Sequence, residues 1–507
     1  MATLAPGLAV AAPSSTTGKA PAPAANPLDR FTQQKLVWKR CAPDAPAALR
    51  CATVKVPLDY TRPSGKTLNM AISRIKATNP AKRHGVMLLN PGGPGGSGLW
   101  MPLYWPKEVA ARYDMIGFDP RGVGASSPVN CGLTPKQQEW PRPYQSKTFA
   151  KDVAWAKTVA EKCRKKEGDT LRHITTRNTA RDMDVVRAVL GEKKLNYLGY
   201  SYGTYLGAVY AQMFPKRTDR FVLDSAVDPK LAWRGMIQVW AEGAEPAFDR
   251  WAKWTAARSS TYKLGSTSAK VEKTFWDLVA AADRKPIKIE GESLSGTDIR
   301  GGMRGSFFSP KEAAELVVML KKAAAGKPAR LGTLTQPPRF APDAEDNMTS
   351  SFWSVVCGDN SAAWPKSTDQ YRKDALRDKK RYPLFGDFAS NIKPCAFWDK
   401  SVEPATVVNN SVKMLIVQNE WDAQTPLSSA LGMHRALKGS KLLTVKGGEG
   451  HGVYASNVSK CADAATTAYL TTGKLPAKNL TCTPSRARTG AESSTPKPAP
   501  VRLPNRW

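Results

Sequence analysis

Gly199, Ser201 and Gly203 form the motif Gly-x-Ser-x-Gly, which could supply a nucleophile. The motif follows the apolar run 195–198 and precedes a stretch with helical spacing that stops at Pro215. A strand, a sharp turn and a helix in this order form a nucleophile elbow, in which the strained turn lifts the serine hydroxyl above a sheet. Because the motif also arises by chance in a chain of this length, the assignment depends on a base, an acid and oxyanion donors elsewhere.

The general base should be a histidine, and the sequence has only four, at His84, His173, His434 and His451. His451 differs from the others because it follows the apolar run 442–445 and the glycine-rich turn 447–450. This context predicts that His451 lies at the carboxyl end of a strand, where the catalytic loops of α/β sheets are found. The other three histidines are interpreted as surface or packing residues.

An acid that orients the histidine should also follow a strand. Residues 414–417 have the pattern of a buried parallel strand and lead into Asp422, a strand and a helix before His451. The order Ser201, Asp422, His451 is that of α/β-hydrolases and differs from the orders in chymotrypsin and subtilisin. Asp224, after an earlier predicted strand, is the alternative acid. We predict Asp422. A second interpretation, in which Asp422 merely caps the following helix, would leave His451 without a partner to fix its tautomer.

Negative charge that develops during acyl transfer needs backbone N–H donors that converge on one point. One donor is expected from Tyr202, the residue after the serine. The other is expected from the glycine-rich segment 90–98, which follows the predicted strand 86–89. Gly93 is the predicted second donor, and Gly92 is its alternative.

The same segment also fits the spacing G-x-G-x-x-G at Gly93, Gly95 and Gly98. Asp119 follows about twenty residues later, as in dinucleotide-binding sites. Pro94 lies inside the supposed phosphate turn, however, and further prolines follow where that fingerprint needs an uninterrupted helix. The sequence therefore favours an oxyanion loop over a nucleotide site.

Five motif segments occur in one order, at residues 90–98, 119–128, 199–203, 422–426 and 450–452. Together they resemble the secreted tripeptidyl aminopeptidases of actinobacteria, relatives of prolyl aminopeptidase among the α/β-hydrolases. The resemblance implies that Ser201, Asp422 and His451 form a catalytic triad. It also implies an enzyme that releases short peptides, typically tripeptides, from free amino termini. One departure is Asn90, which with the next proline stands where prolyl aminopeptidases have a histidine; the tripeptidyl group resembles this sequence there.

The elements that position these residues follow from apolar runs at 86–89, 115–118, 195–198, 220–223, 414–417 and 442–445. Helical patterns alternate with these runs, which predicts an α/β fold with a mostly parallel sheet covered on both faces, the α/β-hydrolase fold. The interval between the fourth and fifth runs exceeds one crossover and predicts an inserted, mainly helical cap domain. The predicted organisation is a disordered leader at 1–35, core at 36–228, cap at 229–405, core at 406–485 and a disordered tail at 486–507.

An exopeptidase must hold the free amine of its substrate at a fixed distance from the nucleophile, and a carboxylate can provide that anchor. Acidic residues in the basic cap are the candidates, namely Asp343, Glu345, Asp346 and Asp359. Their alternative roles are solvated loop charges and helix caps.

Cysteine usage indicates an exported protein. The eight cysteines are even in number and none has the C-x-x-C spacing of zinc or redox sites. We expect neighbours to pair, as Cys41 with Cys51, Cys131 with Cys163, Cys357 with Cys395, and Cys461 with Cys482. Residues 9–11 read Ala-Val-Ala, a cleavage pattern that indicates the remainder of a secretion signal, although a plain Ala/Pro-rich leader is the alternative. The expected location is extracellular.

The charge is unbalanced, since 75 lysines and arginines against 43 aspartates and glutamates give a net charge of +32. Such a field favours anionic surroundings, including acidic cell-wall polymers. The basic residues are scattered and match no nucleic-acid-binding motif, so we expect no nucleic-acid partner. The sequence contains no apolar run of about 18 residues, so it predicts no membrane span.

The predicted substrate partners are the amino termini of peptides or proteins. Acyl transfer by a serine needs no metal and no organic cofactor, and the sequence has no zinc motif such as H-E-x-x-H. An esterase or lipase with the same triad is the alternative function, and a binding protein on a hydrolase scaffold is a second one.

Overall fold

A computed structural model of the chain describes residue 1 and residues 26–140, 142–289, 291–307, 309–329 and 344–485. The strands within these ranges are β1 Lys39–Arg40, β2 Arg50–Pro57, β3 Thr67–Ile75, β4 Gly85–Asn90, β5 Tyr113–Phe118, β6 Leu195–Tyr200, β7 Thr218–Asp224, β8 Ile287–Ile289, β9 Glu292–Leu294, β10 Leu415–Trp421, β11 Lys441–Glu449 and β12 Leu480–Cys482. The α-helices are α1 Asp29–Thr32, α2 Lys107–Ala110, α3 Pro135–Gln138, α4 Phe149–Glu167, α5 Thr176–Val189, α6 Tyr202–Met213, α7 Arg234–Ala256, α8 Ser259–Tyr262, α9 Ser268–Arg284, α10 Gly296–Ser306, α11 Pro310–Ala324, α12 Ala344–Gly358, α13 Thr368–Arg381, α14 Gly386–Ser390, α15 Leu427–Ala436 and α16 Lys460–Thr472.

Ten strands form one sheet in the order β1-β2-β3-β5-β4-β6-β7-β10-β11-β12. The pairs β1–β2, β2–β3 and β3–β5 are antiparallel. The remaining pairs of the sheet, from β5–β4 to β11–β12, are parallel. The sequence prediction of an α/β fold with a mostly parallel sheet is confirmed. Loops that follow β4, β6, β7, β10 and β11 therefore meet at one edge of the sheet, where they can form a site.

The central strands are buried on both faces. In β4, Val86 and Leu88 pack into one hydrophobic cluster, whereas Met87 and Leu89 pack into the other. The first cluster includes side chains from α4, α5 and α6, and the second includes side chains from α2 and α16. Both faces are apolar for this reason, which is why these strands are visible in the sequence as continuous apolar runs.

The six predicted strands correspond to β4, β5, β6, β7, β10 and β11. The sequence did not predict the other six strands, which are β1, β2, β3 and β12 of the large sheet and the hairpin strands β8 and β9. Side chains in β2 largely alternate between exposed and buried positions and include charged residues, so no apolar run marks this strand.

The interval between β7 and β10 contains helices α7 to α14 and the antiparallel hairpin of β8 and β9. Its predicted boundaries as a cap domain, 229–405, stay a prediction. Three helices of this interval, α7, α10 and α12, are called the cap helices.

The predicted disordered leader, 1–35, extends too far along the chain. Its last part contains α1, and Phe31 of this helix is only 2% exposed within the main hydrophobic cluster. The Ala/Pro-rich composition ends before α1, and burial of one aromatic ring joins the helix to the core. Residues 2–25 of the predicted leader and the predicted tail 486–507 lie outside the described residues.

All eight cysteines lie in described segments, and they form the four pairs Cys41–Cys51, Cys131–Cys163, Cys357–Cys395 and Cys461–Cys482. These are the neighbour pairs expected from the sequence. Among the described helices, none is long and apolar enough to cross a membrane.

A buried ion pair fastens the loop after β5 to the rest of the core. Arg121 and Asp182 of α5 have fully buried side chains and form two hydrogen bonds of 2.7 Å. Arg121 also donates to the carbonyl oxygens of Pro57, Leu58 and His173. All five of its N–H donors therefore have acceptors, which offsets the cost of burying the charge.

Arg121→Met should lower the free energy of unfolding by about 3–5 kcal/mol, because it leaves the Asp182 carboxylate buried without its partner. Denaturant unfolding followed by circular dichroism measures this change. Arg164→Met is the control, since Arg164 is half-exposed and pairs with the exposed Asp399 at 3.0 Å. Equal stability losses in the two variants would contradict this account of the Arg121 ion pair.

Candidate active site

The turn between β6 and α6 has the geometry of a nucleophile elbow. Ser201 occupies it with φ 56° and ψ −123°, a conformation that side-chain-bearing residues rarely adopt. A Cβ atom added to Gly199 would lie 2.6 Å from the Gly203 carbonyl oxygen, and one added to Gly203 would lie 2.8 Å from Asn90 Oδ1. The two glycines of the motif are therefore required by the close packing of the turn.

The glycine-rich loop after β4 lies directly against this elbow. Gly92 has φ +98°, and a Cβ atom at this position would lie 2.5 Å from the Tyr200 carbonyl oxygen and 2.9 Å from Ser201 Cβ. Asn90 is fully buried, and its Oδ1 accepts the Gly92 N–H at 3.0 Å. This contact gives Asn90 a structural role at the start of the glycine-rich loop.

The predicted oxyanion donors are close to this contact. The backbone nitrogen of Tyr202 lies 3.3 Å from the position that a Gly92 Cβ would occupy. Gly93 is the next residue of the same turn and has φ +109°. Tyr202 also begins α6, so its N–H lies at the positive end of a helix dipole. The assignment of Gly93 and Tyr202 as donors stays a prediction.

The structure brings His451 and Asp422 together. His451 Nδ1 lies 2.8 Å from Asp422 Oδ2, and the two side chains are 4% and 0% exposed. Asp422 Oδ1 also accepts the N–H groups of Gln424 at 2.7 Å and Thr425 at 3.0 Å. The Thr425 hydroxyl donates to Asp422 Oδ2 at 2.9 Å. The carboxylate is therefore held in one orientation, with an oxygen directed at the imidazole.

Asp224, the alternative acid, has a different set of partners. It is fully buried, and its carboxylate accepts the N–H groups of Val453 at 3.1 Å and Tyr454 at 2.7 Å. Its backbone oxygen accepts the Ser201 N–H at 3.0 Å. Burial raises the pKa of Asp224 to about 7. Asp224 thus links the elbow to the segment that follows His451, whereas Asp422 contacts the imidazole.

Two further residues fix the histidine loop. Ser225 Oγ accepts the Gly452 N–H at 2.8 Å and donates to Asp224 Oδ1 at 3.0 Å. The Asn419 amide donates to the carbonyl oxygens of three loop residues, Glu449, Gly450 and Gly452, at 2.9–3.1 Å. Hydrogen bonds therefore hold the chain both before and after His451.

Sequence reasoning missed these positioning residues. The spacing Asp-x-x-Thr at Asp422 and Thr425 is a recognisable signal, because an aspartate often accepts N–H groups two and three residues later. No local pattern marks Asn419 or Ser225, because their partners are distant in the sequence.

The dinucleotide interpretation is excluded by the partners of Asp119. Its Oδ1 accepts the Ser97 hydroxyl at 2.6 Å and the Gly98 N–H at 3.0 Å, and its Oδ2 accepts the Ala125 N–H at 2.8 Å. Burial raises the pKa of Asp119 to about 6. The carboxylate that would bind a ribose is therefore already bound to the glycine-rich loop itself.

The candidate amine anchors lie in different environments. Asp346 accepts the N–H groups of Gly132 and Leu133 at 2.9 and 3.1 Å, and Glu345 is exposed. Asp359 is partly exposed, and its pKa is raised to about 6 by burial of the carboxyl group. Asp343 lies outside the described residues.

Asp359 is linked to the nucleophile elbow through one side chain. Thr176 donates its N–H and its hydroxyl to Asp359 at 2.7 and 2.6 Å, and the same hydroxyl lies 2.9 Å from the Tyr202 hydroxyl. The Trp233 indole N–H donates to Asp359 at 2.9 Å. Asp359 is therefore connected to the nucleophile elbow through Thr176 and Tyr202. Its carboxylate, however, already accepts three hydrogen bonds within the protein.

Cap helices pack on the loops around Ser201. A Cβ atom at Gly243 of α7 would lie 3.0 Å from the Ala423 carbonyl oxygen. One at Gly95 would lie 2.7 Å from the Met348 carbonyl oxygen of α12. Four aromatic rings connect the two helices, with the ring of Trp140 5.5–6.0 Å from those of Trp240, Phe352 and Trp353. Helices α7 and α12 thus lie directly against the loops that contain Asp422 and Gly95.

The chain matches two family models. Residues 85–276 match the model described as "alpha/beta hydrolase fold", and residues 382–482 match the model described as "TAP-like protein". The first range contains Ser201 and the second contains Asp422 and His451.

Several curated proteins are similar over most of their length. Tripeptidyl aminopeptidase of Streptomyces lividans is 35% identical over 90% of this chain and 88% of its own. Serine protease Hip1 of Mycobacterium tuberculosis is 30% identical over 89% of this chain and 91% of its own. Carboxylesterase B of the same organism is 31% identical over 86% of both chains.

Asp224→Asn should lower kcat/KM about 100-fold, because an N–H₂ group replaces the carboxylate oxygen that accepts the Ser225 hydroxyl and shares the Val453 N–H, and the histidine loop shifts. Asp463→Asn is the matched control, since Asp463 accepts only the Ala455 N–H of the same loop, at 3.0 Å. Steady-state kinetics on a reactive acyl substrate measure the effect, and thermal melts verify folding. Wild-type turnover in Asp224→Asn would refute the role assigned to this carboxylate.

Proposed function

The chain belongs to the tripeptidyl aminopeptidase family of serine hydrolases with the α/β-hydrolase fold, and from this membership we propose that it is an exopeptidase. In this proposal it releases short peptides, mainly tripeptides, from the free amino termini of peptides and proteins. The observation that carries the exopeptidase proposal is the 35% identity to tripeptidyl aminopeptidase over 90% of the chain. The 2.8 Å contact between His451 and Asp422 supports the serine-hydrolase chemistry.

The proposed reaction has two steps. His451 accepts the proton of the Ser201 hydroxyl as its oxygen attacks the peptide carbonyl, and the N–H groups of Gly93 and Tyr202 bind the oxyanion. Asp422 holds the imidazole and stabilises its cation. His451 then protonates the leaving amine, and a water molecule, activated by the same imidazole, hydrolyses the acyl-enzyme.

Exopeptidase specificity requires a limited acyl-binding space. The packing of α12 on the Gly95 turn and of α7 on the Asp422 loop supports such a space, because both helices lie beside the proposed reacting groups. A carboxylate of the cap would bind the substrate amine, and Asp359, Asp346 and Glu345 are the described candidates.

An esterase is the second candidate function. The named relative Carboxylesterase B, 31% identical over 86% of this chain, favours it, because it is a match of similar coverage. An esterase would use the same triad and would be indifferent to the substrate amine.

We propose that the protein is exported. Four disulfides support this location, since structural disulfides persist mainly in oxidising compartments. The net charge of +32 would favour association with anionic cell-wall polymers.

Initial rates on three substrates test the function: a tripeptidyl anilide with a free amine, its N-acetylated form and a short acyl ester. We expect fast cleavage of the free-amine peptide alone. Ser201→Ala should lower kcat/KM for it about ten-thousand-fold or more while preserving the fold. Comparable rates on the acetylated peptide or the ester would contradict the exopeptidase and leave the serine hydrolase in place.

Asp359→Asn, Asp346→Asn and Glu345→Gln test the amine anchor separately. Loss of the anchoring charge should raise KM for the free-amine peptide about tenfold or more and leave the N-acetylated peptide unaffected, because only the free amine forms a charge-assisted hydrogen bond. For each variant, the other two variants serve as controls. A variant that loses activity equally on both peptides is excluded as the anchor.

A further inference from the structure

Two chain segments hold the side chain of Tyr202, the residue whose N–H is the predicted oxyanion donor. Its ring centroid lies 5.6 Å from that of Trp233, which directly precedes α7. Its hydroxyl lies 2.9 Å from the hydroxyl of Thr176, the first residue of α5. Tyr202 is only 2% exposed, so these contacts fix a side chain that lies inside the protein.

Asp359 connects the two partners of Tyr202. It directly follows α12, and its Oδ1 accepts the Thr176 N–H at 2.7 Å. Its Oδ2 accepts the Thr176 hydroxyl at 2.6 Å and the Trp233 indole N–H at 2.9 Å. One carboxylate therefore binds both the polar and the aromatic partner of the tyrosine.

The carboxylate also sets the direction of these hydrogen bonds. Burial raises the pKa of Asp359 to about 6, so the group is ionised at neutral pH and can only accept. The Thr176 hydroxyl donates its single proton to Asp359, and its oxygen consequently accepts the proton of the Tyr202 hydroxyl. A directed chain of hydrogen bonds therefore runs from Tyr202 through Thr176 to Asp359.

The orientation of Tyr202 matters because this residue begins α6. The first N–H groups of a helix have no acceptors within the helix, so the first turn depends on tertiary contacts to stay in place. An oxyanion donor stabilises the developing charge only if its direction is fixed before the reaction. The support of the Tyr202 side chain is thus also a support of its N–H.

We propose that Asp359 is a positioning residue of the acyl-transfer site, which fixes Tyr202 through Thr176 and Trp233 and so holds the oxyanion donor in place. This inference rests on the roles proposed above for Ser201 and Tyr202. It gives Asp359 a task other than binding the substrate amine, because its three hydrogen bonds occupy both carboxylate oxygens. The support acts on every substrate that Ser201 attacks, whether a peptide or an ester.

Thr176→Val tests the proposal, because valine has a similar shape and lacks the hydroxyl that joins the chain. For each substrate that the wild type turns over, kcat should fall about tenfold with little change in KM, since only the transition state places negative charge at the donor. Labelling of Ser201 by a fluorophosphonate should slow by a similar factor. Thr176→Ser keeps the hydroxyl and should retain most of the activity.

Two tyrosines of α6 provide the matched control. Tyr202→Phe keeps the N–H but removes the hydroxyl of the same contact, so it should reproduce the loss. The double variant with Thr176→Val should lose no more than either single variant. Tyr210→Phe removes another buried hydroxyl of this helix, which donates to Asp184 at 3.2 Å, and it should keep the wild-type kcat.

Asp359→Asn distinguishes a support from an amine anchor. The amide places an N–H₂ group against at least one of the three donors, so it should lower kcat and slow labelling by the fluorophosphonate, which has no amine. Thermal melts show which variants are folded, and the Thr176 and Tyr202 variants test the proposal even if Asp359→Asn is unfolded.

A higher KM for the free-amine peptide with labelling at the wild-type rate in Asp359→Asn would overturn the proposal and identify Asp359 as the anchor. Wild-type kcat in Thr176→Val, or additive losses in the double variant, would also overturn it. Absence of labelling in the wild type would refute the role of Ser201, and this proposal with it.

Discussion

The end of β7 connects the two halves of the candidate site. The backbone oxygen of Asp224 accepts the Ser201 N–H, and its buried carboxylate accepts two N–H groups from the segment after His451. Ser225 adds a third contact to that segment through Gly452. Buried N–H groups without acceptors cost about 1–3 kcal/mol each, so this one carboxylate strongly favours a single loop position. The position of the segment after His451 relative to the elbow depends on it.

The cap helices contribute to the site as well as covering it. Helix α12 approaches the oxyanion loop so closely that Gly95 has no room for a side chain, and α7 does the same at the Asp422 loop through Gly243. Helix α10 adds the contact from Arg304 to Gln424. Displacement of these helices would therefore disturb the orientation of the acid and the oxyanion loop together.

The sequence predicts the parts of the site that depend on local order. Ser201, Asp422 and His451 each follow an apolar strand, so the strand-and-turn pattern and the order of the three residues together indicate them, although Asp224 fits the same pattern. Thr425 was missed although its spacing from Asp422 carries a signal. The roles of Asp224 and Thr176 could not be predicted, because their partners come from segments far away in the chain. Likewise, β2 was not predicted, because its two faces differ in exposure and no apolar run marks it. Helix α1 was not predicted, because it has four residues and Phe31 is its one buried apolar side chain.

The central claim is that Ser201 is the nucleophile of an enzyme that acylates itself with the amino-terminal peptide of its substrate. Acid quenching during turnover of a free-amine tripeptidyl ester, followed by mass spectrometry of proteolytic fragments, tests this claim most directly. We expect an adduct with the mass of the tripeptidyl group on the fragment that contains Ser201, and no adduct on the corresponding fragment of Ser201→Ala. Steady turnover with no adduct on that fragment, or an adduct on another residue, would contradict it.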